Sequence, residues 1–311
     1  MIIQSVSDIL AAARTSGRRW TLSVAAPHEE SVLAAVARAC ELGFAEAVLF
    51  GHREKIEETA GKIGLNLGER ITLAETKDDR ETVEKSAACV HEGRADVLVK
   101  GLIPTASLIR AVLQRELGLR SDRLLSHVGV FEDPVSRRLM LLTDAGINIA
   151  PNVYRKVRIV KNAVAVARAL GVVKPRVAML AAVDTLNHPS MPATLDAPLV
   201  AKMAADGVIP AAFVEGPFAL DNAVSQAAAE KKTRKGEVAG RADILCAPEI
   251  ETANVLYKAL QIFCGVTFAS VVVGAGKPLA VPSRADSADT KLMSIALACL
   301  LSGGLCSGSS S

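Results

Sequence analysis

Short β-branched apolar runs alternate with longer amphipathic stretches along nearly the whole chain. Period-two or continuous apolar runs predict strands at Thr21–Ala25, Ala47–Phe50, Val97–Lys100, Val128–Phe131, Leu139–Leu142, Val177–Ala181, Ala211–Val214, Ile244–Cys246, Val271–Val273 and Leu279–Val281. Helical periodicity predicts helices at Glu29–Leu42, Thr82–Glu92, Thr105–Leu117, Tyr154–Leu170, Asp196–Ala205, Asp221–Glu230, Glu251–Ile262 and Ser287–Leu301. A βαβα rhythm of this kind predicts mostly parallel sheets covered by helices on both faces, an α/β fold. One heptapeptide occurs twice in similar form. Gly93-Arg94-Ala95-Asp96-Val97-Leu98-Val99 and Gly240-Arg241-Ala242-Asp243-Ile244-Leu245-Cys246 each open a strand. Two similar α/β halves would produce the echo, and so would chance. A Gly, Asn and Pro cluster at Asp144–Pro151 marks a crossover between them.

Composition sharpens this picture. At 311 residues the chain is long enough for two cores. Half of it is hydrophobic but only 3% aromatic, so Ala, Val, Leu and Ile must fill the interior. The 36 basic and 33 acidic side chains leave a net charge of +3, which argues against a dedicated nucleic-acid binder. The six cysteines include no C-x-x-C pair and are expected to be buried thiols of a reducing compartment. Residues 1–20 mix acid and base without the apolar core of a signal peptide, and no apolar run is long enough to span a membrane, so a cytoplasmic address is expected. The Gly/Ser-rich tail 303–311 is expected to be disordered.

The segment 279–301 carries the strongest chemical signal. Pro278 and Pro282 bracket a strand, Ser283 and Arg284 follow it, and Asp286 and Ser287 are both suited to cap the helix beyond. Ser283 and Arg284 therefore sit on a strand-to-helix turn, where helix N–H groups favour an anion and a guanidinium offers a fork of donors. The alternative is that Arg284 pairs with Asp286 or Asp289 and only braces the helix. Lys100 ends one strand and Thr105 opens the next helix. Lys277 lies in the turn Gly274-Ala275-Gly276-Lys277-Pro278, which lacks both the dinucleotide and the P-loop spacing. Ser126 and His127 open another strand, and His127 is either a base or a structural histidine. Glu215-Gly216-Pro217, with Asp221 and Asn222, reads as a strand-to-helix turn, and Asn254 lies early in a helix, so both asparagines could be simple capping groups. The five histidines show no metal-ligand spacing, and there is no G-x-S-x-G elbow.

Several segments, in order, resemble the phosphate acetyltransferase and phosphate butyryltransferase family, and more closely its butyryltransferase branch. They are ADVLVKGLIPT (95–105), LSHVGVFEDP (125–134), LLTDAGINIAPN (141–152), VAMLAAVDTLNHPSMPATLDA (177–197), EGPFALDNAVS (215–225), RADILCAPEIETANVLYK (241–258) and VPSRADSADTKLMSIALA (281–298). The resemblance implies two α/β/α domains like those of isocitrate and isopropylmalate dehydrogenases, with an inter-domain cleft. Residues 1–146 with 286–311 would form the first domain and 147–285 the second. It implies reversible transfer of a short acyl group, butyryl or acetyl, between coenzyme A and inorganic phosphate. The thiol would attack the acyl phosphate directly, with no metal and no covalently bound cofactor. Arg284 would bind the phosphate and Ser283 would hydrogen-bond the reacting carbonyl. The acetyltransferase branch places an aspartate base where this chain has Thr290, so Asp286 and Asp289 stand as substitutes. Lys100, Thr105, Ser126, His127, Asn222, Asn254 and Lys277 are the candidates for holding coenzyme A or acyl phosphate. Departures from the family pattern are Glu215 where Asp is common and Ala253 where Gly is common. A homodimer or larger homo-oligomer is expected, with no nucleic-acid or membrane partner. Two other functions are compatible with the architecture: a non-catalytic coenzyme A binding or regulatory homologue, and a metal- and nicotinamide-dependent dehydrogenase.

Overall fold

A computed structural model describes residues 3–114, 119 and 124–304. The elements run α1 (Val6–Thr15), β1 (Trp20–Ala25), α2 (Glu30–Glu41), β2 (Ala45–Gly51), α3 (Arg53–Lys62), β3 (Ile71–Glu75), α4 (Asp79–His91), β4 (Val97–Lys100) and α5 (Thr105–Val112). They continue with β5 (Ser126–Glu132), β6 (Leu139–Thr143), α6 (Val153–Ala169), β7 (Arg176–Leu180), α7 (Ala193–Ala205), β8 (Phe213–Phe218), α8 (Leu220–Val224), α9 (Gln226–Lys231), β9 (Ile244–Cys246) and α10 (Ile250–Cys264). Strands β10 (Phe268–Val273) and β11 (Leu279–Ala280) and helix α11 (Ala288–Gly304) complete the chain.

The chain forms two compact units, Val6–Arg123 with Phe268–Ser311 and Met1–Ser5 with Leu124–Thr267. Their limits differ from those expected at 146/147 and 285/286. The reason is strand pairing. Strand β6 pairs in parallel with β9, which draws the β5–β6 hairpin into the unit of residues 147–267. Strand β11 pairs in parallel with β4, which draws residues 268–285 to the N-terminal unit.

In the unit that begins at Val6 the strands lie in the order β3-β2-β1-β4-β11-β10, all parallel except the β10–β11 pair. Every residue of β4 and β10 is buried, so side chains on both sheet faces are covered. Helix α11 packs on α1, α2 and β10 through Leu292, Ile295, Ala296, Leu297, Ala298 and Cys299. Its Ser294 hydroxyl, also buried, accepts the N–H of Ser270 in β10 at 2.9 Å. The other unit orders its strands β5-β6-β9-β7-β8, with only the β5–β6 hairpin antiparallel. Helix α6 crosses it with Val157, Ile159, Val160, Ala163, Val166 and Ala167 buried, together with a Lys156–Asp196 ion pair at 2.7 Å.

The repeated heptapeptide is the same device in each unit. Gly93 and Gly240 both adopt positive φ, at 75° and 70°. The Asp96 carboxylate accepts the N–H of Thr21 at 3.0 Å while its own N–H donates to the Thr21 carbonyl at 2.8 Å. Asp243 repeats the pattern on Arg176, with both bonds at 2.8 Å. Each aspartate thus locks its strand, β4 or β9, to the start of a parallel neighbour, β1 or β7.

Three elements fall outside the expected set. Helix α3 buries only Ile56, Thr59 and Ala60, and strand β3 alternates with no fully buried residue, so neither carries a strong apolar period. Helix α1 buries only Val6, Ile9 and Ala13. The expected turn at Glu215-Gly216-Pro217 is instead part of β8. Strand β8 lies at the edge of the sheet and shifts register against β7 at Gly216-Pro217, and an edge strand with such an irregularity admits a proline. A side chain at Gly216 would meet Met179 Cβ at 2.7 Å, so only glycine fits that register. The expected helix Asp221–Glu230 is broken at Ser225, which caps α9 by accepting the N–H of Ala228. Residues 115–117 of the expected helix Thr105–Leu117, Cys306 and residues 305–311 of the tail lie outside the described residues. Cys40, Cys89, Cys246 and Cys299 are buried as expected, whereas Cys264 is exposed at the end of α10. No helix among the described residues is long and apolar enough to cross a membrane.

Gly101 is the tightest backbone approach next to the strand ends. A Cβ there would stand 2.6 Å from the Ala25 carbonyl oxygen and closer still to that of Ala26. Gly101→Ala is expected to destabilise the protein by about 1–3 kcal/mol, measured by thermal or urea unfolding. An unchanged midpoint would contradict this packing.

Candidate functional site

The carboxyl ends of three adjacent parallel strands meet in the unit that begins at Val6. Ala25 pairs with Lys100, and Leu98 and Val99 pair with Leu279 and Ala280. Beyond these ends run Ala26 to Glu29, Lys100-Gly101, and Val281 to Ser287. Open α/β sheets place ligands at this edge.

The turn after β11 is built by short-range bonds. The Asp286 carboxylate is buried and accepts the N–H of Ser283 at 2.7 Å, while the Asp286 N–H reaches the Ser283 carbonyl at 3.2 Å. Asp286 therefore closes the turn, and the helix cap falls to Ser287, whose hydroxyl accepts the N–H of Thr290 at 3.2 Å. Ser287 also bonds the Thr290 hydroxyl at 3.1 Å. Arg284 is exposed at the tip and takes part in none of the ion pairs among the described residues. The bracing role, in which Arg284 pairs with Asp286 or Asp289, is thus not what the structure contains. Asp289 is exposed in the first turn of α11.

Two further cations stand behind Arg284. Lys100 is 5% exposed, and its ammonium donates to the carbonyls of Gly101 at 3.1 Å and Ile103 at 3.4 Å. Burial lowers its pKa below the ordinary lysine value, and the nearby charges of Arg284 and Lys291 lower it further. Lys291 is 1% exposed and bonds both carboxylate oxygens of Glu29, at 3.0 and 3.1 Å. Near Lys100 there are thus Arg284 and Lys291 as cations, and Glu29 and Asp286 as anions. Among the described residues, and with Lys100 itself, three positive charges face two negative ones. The surplus charge, exposed on Arg284, suits an anionic ligand.

Of the residues singled out in the sequence, this edge gathers Lys100, Ser283, Arg284 and Asp286. Thr105 is the first residue of α5. Lys277 lies at the opposite end of β11, in the turn where the Gly276 N–H donates to the Leu119 carbonyl at 2.9 Å. Sequence reasoning missed Glu29, Ser31 and Lys291. Lysine in an apolar helix, eight residues after Ser283, was the available signal.

The remaining candidates lie in the other unit. His127 is nearly buried at the start of β5, edge-on to the Tyr257 ring at 5.9 Å. Beside it, the Asp144 carboxylate at the end of β6 accepts the N–H groups of Gly146 and Ile147, both at 3.0 Å, and the Asn148 side chain at 2.6 Å. Gly146 lies against the His127 ring, and Asn254 reaches the Ala145 carbonyl at 3.1 Å. Ser126 faces inward and accepts from Asn162 at 2.8 Å. Asn222 is fully buried at the start of α8, where its amide donates to Asp184. The Asp184 carboxylate also accepts the Ala219 N–H at 2.7 Å. Among the described residues no three His, Cys, Asp or Glu side chains converge as metal ligands would.

Comparison with known proteins decides the family. The family model "Phosphate acetyl/butaryl transferase" matches residues 78–299. The chain belongs to the phosphate acetyl/butyryltransferase family. It is 44% identical over 280 residues to the phosphate butyryltransferase of Clostridium beijerinckii, covering 90% of this chain and 92% of that one. It is 38% identical over 292 residues to the phosphate acetyltransferase of Thermotoga maritima, covering 92% and 95%. A solved branched-chain phosphotransacylase from Enterococcus faecalis V583 superposes with a TM-score of 0.79 at 30% identity, covering 92% of this chain and 99% of that one. The α/β fold expected from the sequence is therefore that of the phosphotransacylases, and membership of this acyltransferase family disfavours both the dehydrogenase and the non-catalytic alternatives.

The charge geometry makes Lys100 a reporter for Arg284. Arg284→Ala removes a neighbouring positive charge and is expected to raise the Lys100 pKa towards the ordinary lysine value, read by NMR of its ε position. A Lys100 titration unmoved by the substitution would separate the two groups.

Proposed function

We propose that this protein transfers a short-chain acyl group reversibly between coenzyme A and inorganic phosphate, with the Ser283–Arg284 turn as the seat of the phosphoryl group. The observation that carries the reading is the exposed Arg284 guanidinium, outside every ion pair among the described residues, at the carboxyl edge of three parallel strands and backed by the buried ammonium of Lys100. In the forward direction the thiol sulfur attacks the carbonyl carbon of the acyl phosphate. The C–S bond forms, the C–O bond to phosphate breaks, and phosphate leaves with the electron pair. Arg284 and Lys100 would offset the phosphate charge, and the Ser283 hydroxyl would donate to the carbonyl oxygen as it becomes negative. Donors aimed at such an oxygen contribute about 3–4 kcal/mol each in comparable sites.

The thiol proton needs an acceptor, because free thiols ionise above neutrality. Thr290 is buried and engaged with Ser287, so it does not serve. The Asp286 carboxylate is turned inward to Ser283, which leaves Asp289 as the more open of the two substitutes. His127, Asn254 and Asn222 are proposed to bind coenzyme A or the acyl group. The higher identity to a butyryltransferase than to an acetyltransferase, 44% against 38%, favours a four-carbon acyl group. Free cysteines at positions 40, 89, 246, 264 and 299 suit the cytoplasm.

A homo-oligomer completes the proposal. Helix α10 buries only Ala253 and Tyr257, while Val255, Ile262 and Phe263 are 68%, 71% and 85% exposed. An apolar helix face with Glu251 and Lys258 as its only charged residues is suited to its own copy across a two-fold axis.

Arg284→Ala is expected to lower kcat/KM for butyryl phosphate on the order of 10²-fold while shifting stability by less than about 0.5 kcal/mol, as for other exposed positions. Thioester formation from acetyl, propionyl and butyryl phosphates, followed by absorbance, measures both the variant and the acyl preference. Unaltered kinetics would refute the assignment of Arg284, and fastest turnover of acetyl phosphate would refute the four-carbon preference. Ile262→Lys with Phe263→Lys is expected to yield monomers in sedimentation velocity. A wild type that is already monomeric at micromolar concentration would dismiss the α10 interface.

A further inference from the structure

Lys291 is among the largest fully buried side chains of the protein and carries a charge there. A buried ammonium needs close partners, since desolvation otherwise outweighs its attractions. Its partners come from two neighbouring segments. Glu29 supplies both carboxylate oxygens at 3.0 and 3.1 Å, Ser31 supplies its hydroxyl, and the Arg284 carbonyl lies at 3.5 Å. Lys291 thus ties the segment after β1 to the turn after β11. Glu29 occupies the N-cap position of α2 but makes no side-chain cap bond, because its carboxylate is turned to Lys291. A buried ion pair is a weak device for stability compared with apolar packing. Its position offers a different use. The shared Lys291 ammonium holds the Glu29 carboxylate close to the Arg284 backbone, so a released Glu29 would be an anion able to compete with phosphate for the exposed Arg284.

We propose that Lys291 is a positioning residue for the Ser283–Arg284 turn, occupying Glu29 so that the Arg284 guanidinium stays free for the phosphoryl group and steadying the turn through the Arg284 carbonyl. This rests on the phosphotransacylase reading above and adds a residue to it. Lys291 does not touch the substrate. It acts by withholding a competing anion.

The test compares wild type, Lys291→Met, Glu29→Gln and the double variant, each as the full chain. Inorganic phosphate affinity is measured by titration calorimetry, together with KM for phosphate and for butyryl-CoA and the thermal midpoint. Lys291→Met is expected to weaken phosphate binding by at least about tenfold, the scale of one unscreened charge a few Å away, and to change KM for butyryl-CoA far less. Adding Glu29→Gln is expected to recover most of the lost phosphate affinity, because Arg284 is released again. A purely structural lysine would give a double variant no better than Lys291→Met, and that result would overturn the proposal. So would a folded Lys291→Met with wild-type phosphate affinity. If Lys291→Met does not fold, Lys291→Gln, which keeps a donor, carries the same comparison with and without Glu29→Gln. A wild type that binds phosphate but forms no thioester from any acyl phosphate would overturn the functional reading alone, and the phosphate titrations would still decide the role of Lys291.

Discussion

Three positive charges held together at the end of one sheet are the constraint on which the site depends. Lys100, Arg284 and Lys291 repel one another, and the pKa of Lys100 is lowered first by its burial and then by that repulsion. The fold tolerates the arrangement by sorting its two carboxylates. Asp286 is spent on the N–H of Ser283, and Glu29 is spent on Lys291. Neither pairs with Arg284, which stays exposed at the edge and outside every ion pair among the described residues. In the proposed function an anionic substrate offsets the positive charge that these described residues leave in excess.

Parallel strand pairing makes this possible. Because β1, β4 and β11 run side by side in the same direction, their carboxyl ends deliver Glu29, Lys100 and Ser283-Arg284 to one edge. The close approach of Gly101 to the Ala25 and Ala26 carbonyls brings two of those segments into backbone contact. Asp96 sets the register at the other end of the same strands, by bonding both backbone groups of Thr21. Asp243 does the same for β9 and β7 in the second unit. One short sequence device, used twice, therefore aligns the strands whose far ends hold the proposed site residues.

Much of this could be read from the chain alone. Elements with dense apolar periods, such as Val97–Lys100 and the helix after Ser287, stand close to where periodicity placed them, because burial on both faces demands an uninterrupted apolar run. Helix α3 and strand β3 escaped notice because each buries too little for its pattern to rise above its charged residues. Gly216-Pro217 reads as a turn in the sequence, since a proline inside a strand is tolerable only at an edge or a bulge, and both are properties of the assembled sheet.

Local chemistry also marked Ser283 and Arg284, since a strand end, two prolines and a capping serine are all short-range signals. The sequence by itself determined the elements with dense apolar periods, the duplicated Gly-Arg-Ala-Asp device and this turn. Only the tertiary structure decided which carboxylate serves which cation. Glu29 and Lys291 are 262 positions apart, and their pairing is created solely by the crossing of β4 between β1 and β11. Side-chain partners so distant along the chain leave no periodicity or spacing to read, because the bond depends on the folded geometry that brings the two segments together.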